Sequence, residues 1–279
     1  MRTASRIATA CVFGVLLVGC ESDEGGCIFN PENRRITEIT GVEYYDGFEG
    51  AHYSRYCRHR FFYDDEGRLD RWTETTNTTE TDLEFYYESA SRILLFGTQR
   101  DLDSGETPIY NEIELDASGQ VARHLYADNT SWSYIYSGGL LTGSYYSDAN
   151  SEYMFRYTWT NGDLIRIDYP ATPHNGSFQD AAYGSVPNIA NLDLNYLAYT
   201  TNVFDVGSPG KMLRITGMLG RNAHFAVRNT HEPTDTSGVI TEIEWTFDAS
   251  GYPTGWKSLH RDLGAPKKDS GWEYTIYYE

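Results

Sequence analysis

The sequence predicts an all-β fold: an antiparallel meander of repeated hairpins forming a strongly curved sheet or barrel, with one short helical insertion near 188–197. Three observations carry this. The 279 residues include 23 Tyr, 12 Phe and 6 Trp, and aromatic side chains favour strands and supply much of their packing energy. One kind of turn recurs along the chain. Between turns, apolar and polar residues alternate with the period of a sheet that packs on one face and is wet on the other.

The turns place Asp, Asn, Ser or Gly where a positive φ or local side-chain capping is needed, so each reads as a hairpin. They run Phe62-Tyr63-Asp64-Asp65-Glu66-Gly67-Arg68-Leu69, then Leu115-Asp116-Ala117-Ser118-Gly119-Gln120-Val121, Tyr136-Ser137-Gly138-Gly139-Leu140, Trp159-Thr160-Asn161-Gly162-Asp163-Leu164 and Phe247-Asp248-Ala249-Ser250-Gly251-Tyr252. A degenerate copy at Tyr87 to Ile93 lacks the glycine. The first five turn centres fall near residues 66, 90, 118, 138 and 161. That spacing suits hairpins whose strands are roughly eight to ten residues long.

The strands alternate strictly. Trp132, Tyr134 and Tyr136 point one way and Ser131, Ser133 and Ile135 the other. Tyr153, Phe155, Tyr157 and Trp159 share a face opposite Met154, Arg156, Thr158 and Thr160. Ile243, Trp245 and Phe247 oppose Glu242, Glu244 and Thr246. The pairs Tyr44-Tyr45, Tyr86-Tyr87, Tyr145-Tyr146 and Tyr277-Tyr278 put one Tyr on each face, which suits a ring with an apolar body and a polar tip. The exception is 187–197, where Ile189, Leu192, Tyr196 and Leu197 fall at helical spacing and Asn188 is placed to cap. With Pro170, Pro173 and Gly176 before it and Gly207 to Gly210 after it, it reads as a short helix or a pair of turns between loops. It is expected to plug an open end of the sheet.

The N-terminus has another origin. Arg2 and Arg6 precede the apolar run Cys11–Val18. That run is too short for the ~20 residues of a membrane span and has the layout of a secretory signal. It ends in Leu17-Val18-Gly19-Cys20, which resembles the bacterial lipobox. The resemblance implies a signal peptide over 1–19, cleavage before Cys20 and acylation of Cys20 with palmitate-type chains. Two or more such chains make a membrane attachment durable. The acidic stretch from Glu21 looks like the export signal of surface lipoproteins in some Gram-negative bacteria, and a plain solvated tether explains it as well. The division is therefore 1–19 signal, 20–35 lipid-anchored tether and 36–279 a single β domain. The place is the cell envelope, anchored to the outer membrane and presented at its surface.

Charge excludes some partners. Removing residues 1–19 takes away two arginines and no acid, so the formal charge moves from −18 to −20. Basic residues form only short groups such as Lys267-Lys268, so neither nucleic acid nor an electrostatic grip on anionic lipid is expected. Of four cysteines, Cys11 leaves with the signal and Cys20 is consumed by lipid. Cys27 and Cys57 remain, and an oxidising compartment permits a disulfide between them. Two free thiols are the alternative.

The turns YDDEGRL (63–69), LDASGQV (115–121), WTNGDLI (159–165) and FDASGYP (247–253), with PNIANLDLNYL (187–197) and the terminal TIYYE, are similar to an uncharacterised family of Gram-negative lipoproteins. That family is a domain of unknown function with a porin-like fold, and the likeness spans roughly 36–279. It implies a water-soluble, strongly curved sheet or barrel. It implies no activity and no catalytic residues.

Chemistry is hard to find. The chain lacks a nucleophile elbow, a HEXXH helix, a P-loop and a dinucleotide fingerprint, and no cofactor is expected. Cys57 and His59 would share a strand face near His52, but Arg55, Arg58 and Arg60 crowd them, so no metal site is assigned. Asp101 to Glu106 has the opening spacing of a calcium loop without its later ligands, and a hairpin turn explains it. The aromatic rows remain: Trp132, Tyr134, Tyr153, Tyr157 and Trp159 are candidate ligand-binding residues for a small apolar ligand or glycan, or else ordinary sheet packing. Packing is expected for Trp159 and exposure for Trp132. Two function classes follow: a non-catalytic binding or structural lipoprotein, or an envelope hydrolase with an unrecognised carboxylate-based site.

Overall fold

The computed structural model describes residues 34–47, 50–170, 177–198, 207–231, 238–263 and 270–279. The signal, Cys20 and Cys27 lie outside the described residues. The meander runs through β1 (Ile36–Gly47), β2 (Gly50–Tyr63), β3 (Leu69–Thr76), β4 (Thr79–Ser89), β5 (Arg92–Asp101) and β6 (Gly105–Leu115). It continues through β7 (Val121–Tyr126), β8 (Ser131–Ser137), β9 (Leu140–Ser147), β10 (Glu152–Thr160), β11 (Asp163–Asp168) and β12 (Phe178–Pro187). The helices α1 (Asn195–Ala198) and α2 (Gly207–Ile215) follow, then β13 (His224–His231), β14 (Val239–Phe247), β15 (Pro253–Asp262) and β16 (Ser270–Tyr278). Every strand pairs antiparallel with its sequence neighbours, and β1 pairs with β16 from Ile36↔Tyr278 to Tyr45↔Ser270. The sheet is a closed barrel.

Three of the repeated turns are one structure. In each, the Asp backbone N–H donates to the carbonyl four residues on, and the Gly N–H donates back to the Asp carbonyl, at Asp64/Gly67, Asp116/Gly119 and Asp248/Gly251. The Asp carboxylate caps the loop from inside: Asp116 Oδ1 accepts the N–H of Ser118 at 2.8 Å and of Gln120 at 3.0 Å. Gly67, Gly119 and Gly251 have φ of 80°, 78° and 84°, the left-handed region that a Cβ disfavours. Each turn carries a register shift in the strand that enters it, at Phe62/Tyr63, Glu114/Leu115 and Thr246/Phe247. This is a type I turn closed by a glycine bulge.

Because strands alternate in direction, the repeated turns all lie on one rim. The start of β1, the end of β16 and the described parts of the β12–β13 connection, 188–198 and 207–223, share that rim. The connection turns inward and plugs it, as expected, but its helices differ from the expectation. Within 188–197 the helix begins only at Asn195 and runs on to Ala198, and α2 falls where a loop was read. Ala190, Leu192, Leu194, Tyr196, Leu197, Met212, Leu213 and Ile215 are all buried, so the segment supplies a core that strands alone do not.

The wall is apolar inside and charged outside. On β4, Thr81, Leu83 and Phe85 are buried while Glu80, Glu84 and Tyr86 are exposed. Ion pairs run around the outer face: Arg60 with Glu38 at 3.0 Å, Arg92 with Glu112 at 2.7 Å, Arg166 with Asp168 at 2.8 Å, Lys257 with Glu273 at 3.2 Å, and Arg71 with Asp82. Each contributes only ~0–1 kcal/mol in water. Their position matters more, because membrane-spanning barrels show the opposite polarity, apolar outward and polar inward.

Candidate functional site

The five candidate aromatic residues all face the lumen. They do not sit on adjacent strands, because β9 lies between β8 and β10. Trp132, Tyr134 and Tyr157 keep 7, 8 and 6% of their surface, and Tyr153 and Trp159 are half-buried. The expectation of an exposed Trp132 is therefore corrected. It is held between Tyr146 and Phe155, ring centroids 5.3 and 5.1 Å away, and Tyr146 stacks on Tyr153 at 5.9 Å. Trp159 packs while donating its Nε1–H to the Leu141 carbonyl at 2.6 Å. Tyr157 shares a hydrogen bond with Ser144 Oγ at 2.9 Å and accepts one from Arg214 Nη2 at 3.0 Å. Tyr157 thereby ties the wall to the plug.

The plug is tied in by polar side chains that the sequence reading missed. Asn191 Oδ1 accepts the Ile36 N–H at 3.0 Å, and its Nδ2 donates to Tyr63 Oη at 2.8 Å. Lys211 on α2 meets Glu74 on β3 at 2.9 Å. Asp193, wholly buried, accepts from the backbone N–H and Nδ2 of Asn222 at 2.7 and 2.9 Å and from the Asn195 N–H at 3.2 Å. Burial pushes the Asp193 carboxyl up to about 6 against these donors. The signal for Lys211 and Arg214 was their place in the apolar run Lys211-Met212-Leu213-Arg214-Ile215, hidden by the Gly-Ser-Pro-Gly that opens α2.

Cys57 and His59 share the inward face of β2, as alternation required. They meet Glu74 and Tyr274 there, and burial shifts the titration of both. Burial pushes the Cys57 thiol up to about 11, although Tyr274 hydrogen-bonds it, so it is protonated and a poor nucleophile. Burial also pushes His59 down to about 4 against the pull of Glu74, whose carboxylate is 3.6 Å away. Burial opposes ionisation of Glu74, but Lys211 outweighs it and keeps the carboxyl below its ordinary value. Cys57 is a free thiol in the described structure; its expected partner Cys27 and the side chain of His52 lie outside the described residues. Among the described residues no group of three His, Cys, Asp or Glu is placed to hold a metal ion. The Asp101 turn is a hairpin, its Oδ1 accepting the Asp103 and Ser104 N–H groups at 2.9 and 3.2 Å.

Comparison with known proteins bears on the fold. A porin-like protein from Bacteroides uniformis ATCC 8492 superposes with a TM-score of 0.62 at 15% identity, over 87% of this chain and 96% of that one. A porin-like protein from Bacteroides vulgatus ATCC 8482 aligns over 88% of this chain and 99% of that one, at 14% identity and a TM-score of 0.49. No family model matches, and neither does any curated protein. The chain has the barrel fold of the first of these proteins.

Proposed function

We propose that this chain is a lipid-anchored cell-envelope protein whose plugged barrel is a rigid, non-catalytic binding or structural body standing in water. The observation that carries it is the combination of an outward-charged wall with a lumen plugged at one rim by 188–198 and 207–223. Such a wall suits water rather than bilayer. The lipobox-like Leu17–Cys20 supplies the attachment that the wall does not. The tether would enter β1 at the plugged rim. Sixteen residues, 20–35, reach at most ~55 Å when extended, enough to hold the barrel clear of lipid. Likeness in fold to the porin-like protein from Bacteroides uniformis agrees with an outer-membrane setting.

The test is metabolic labelling with a palmitate analogue. The wild-type chain takes the label, and Cys20→Ala loses it and appears in the soluble fraction. Equal labelling of both chains overturns the anchor.

A further inference from the structure

Exposed aromatic rings interrupt the charged outer wall at several places, Tyr86 and Tyr277 among them, and beside the overhang of β6 one of them borders a notch. Strand β6 pairs with β5 along its whole length, from Arg92↔Glu114 to Asp101↔Gly105. Its pairing with β7 begins only at Asn111↔Tyr126. Gly105–Tyr110 therefore overhang the β7–β8 turn, and a notch of about 410 Å3 opens in the angle. That size lies within the ~300–1,000 Å3 typical of small-molecule sites.

Its walls are mixed in a particular way. Tyr110 lines it with 44% of its surface exposed, backed by its cross-strand partner Phe96 at 5.3 Å. Leu125 and Tyr126 add apolar surface, and Glu112, Arg123 and Asn129 bring polar groups. Two of these polar elements are fixed beforehand. Arg92 holds the Glu112 carboxylate through two hydrogen bonds of 2.7 Å. Asn129 sits at φ 68° in a turn closed by Asn129 N–H to the Tyr126 carbonyl and Tyr126 N–H to the Thr130 carbonyl, each 3.0 Å.

The chemistry narrows the occupant. A peptide strand added to the overhanging edge would need its donors, and Pro108 removes one in the middle of it. An anion meets Glu112 and a chain of formal charge −18; a cation meets Arg123. A purely apolar ligand would leave Glu112, Arg123 and Asn129 desolvated, which costs free energy when no hydrogen bond replaces water. A neutral sugar ring fits all three constraints, with a C–H face for the tyrosine and hydroxyl edges for planar polar groups. We infer that the β6–β7 notch binds a neutral saccharide, one ring stacked on Tyr110 and its hydroxyls on Glu112, Arg123 and Asn129. The inference gives the non-catalytic binding reading a ligand class, and places it on the outer wall rather than in the lumen.

The experiment uses the full-length chain in mild detergent against an array of neutral and anionic glycans. Ligand-observed saturation-transfer NMR follows on any hit. Wild type and Tyr86→Ala, a control at a 58%-exposed ring on β4, bind a neutral glycan alike, and Tyr110→Ala weakens it at least tenfold. Tyr110 is half-exposed, so its loss leaves the fold intact, which circular dichroism checks. No hit, hits confined to anionic glycans, or equal binding by Tyr110→Ala overturns the site. Running Cys20→Ala alongside separates the two readings, since loss of the anchor leaves saccharide binding unchanged.

Discussion

His124 shows what a single buried group does in this barrel. It faces the lumen on β7 with no surface exposed, its ring 4.2 Å from that of Tyr126, and among the described residues neither ring nitrogen has a hydrogen-bond partner. Burial pushes its pKa down to about 3, and His59 and His260 go down to about 4 for the same reason. An unfolded histidine titrates near ~6.5. As pH falls through the window from about 6.5 to 4, the unfolded chain takes up protons that the folded chain refuses, so these groups withdraw stability. Asp193 acts the other way. Its folded pKa of about 6 lies above its ordinary value, so in that window the folded chain holds the extra proton, and this group loses stability as pH rises. Three histidines against one carboxyl decide the sign. The urea midpoint is expected to fall between pH 7 and 4.5. In His124→Phe that fall is shallower, by up to ~1.4 kcal/mol per pH unit below 6.5. A His124→Phe chain that loses stability as steeply as wild type would show that this ring is protonated inside the fold.

At the scale of elements, the turns carry the clearest local information. The Asp–x–x–Gly turns were legible because their residue types are dictated by backbone geometry within a few residues: a carboxylate to cap and a glycine for positive φ. Gly119→Ala is expected to cost ~1–2 kcal/mol from the left-handed backbone. Asp116→Ala costs ~0.5–2 kcal/mol through its two lost caps. Ser118→Ala, exposed in the same turn, stays within about 0.5 kcal/mol. Urea denaturation of the three variants checks the order, and a Gly119→Ala as mild as Ser118→Ala would sink the shared-turn reading. The opposite rim was less readable: its turns, such as Ala127–Thr130, follow no repeated pattern. The helix α2 was hidden for a related reason. Gly207, Pro209 and Gly210 signal a loop locally, yet proline is tolerated in a helix's first turn, and burial of Met212, Leu213 and Ile215 against the wall overrides propensity. The candidate rings were placed on the right face, since a two-residue period fixes that. Their exposure was not legible, because it depends on β9 and the plug, which no strand's own sequence reveals.

The whole molecule poses the question of its solvent. A closed barrel raises the prospect of a membrane wall, and the charges on the outer face argue against it. Arg60, Arg71, Arg156, Arg166, Arg228 and Lys257 point outward from strand interiors on six different strands. In a spanning barrel each such residue costs about 2–4 kcal/mol at the bilayer midplane and less near its edges. Six of them together approach or exceed the ~5–15 kcal/mol by which a folded domain is stable at all. Inside, Trp72, Trp256, Phe61 and Phe225 are sealed in place, where a porin would keep a wet channel. The barrel therefore gets its apolar burial from the lumen and the plug, and presents a charged wall outside. A chain carrying Cys20→Ser and lacking residues 1–19 is accordingly expected to stay monodisperse without detergent in size-exclusion chromatography. In planar bilayers it should give no conductance steps. If that chain instead aggregates until detergent is added, and then inserts and conducts, the wall meets lipid in the native state and the assignment of inside and outside is reversed.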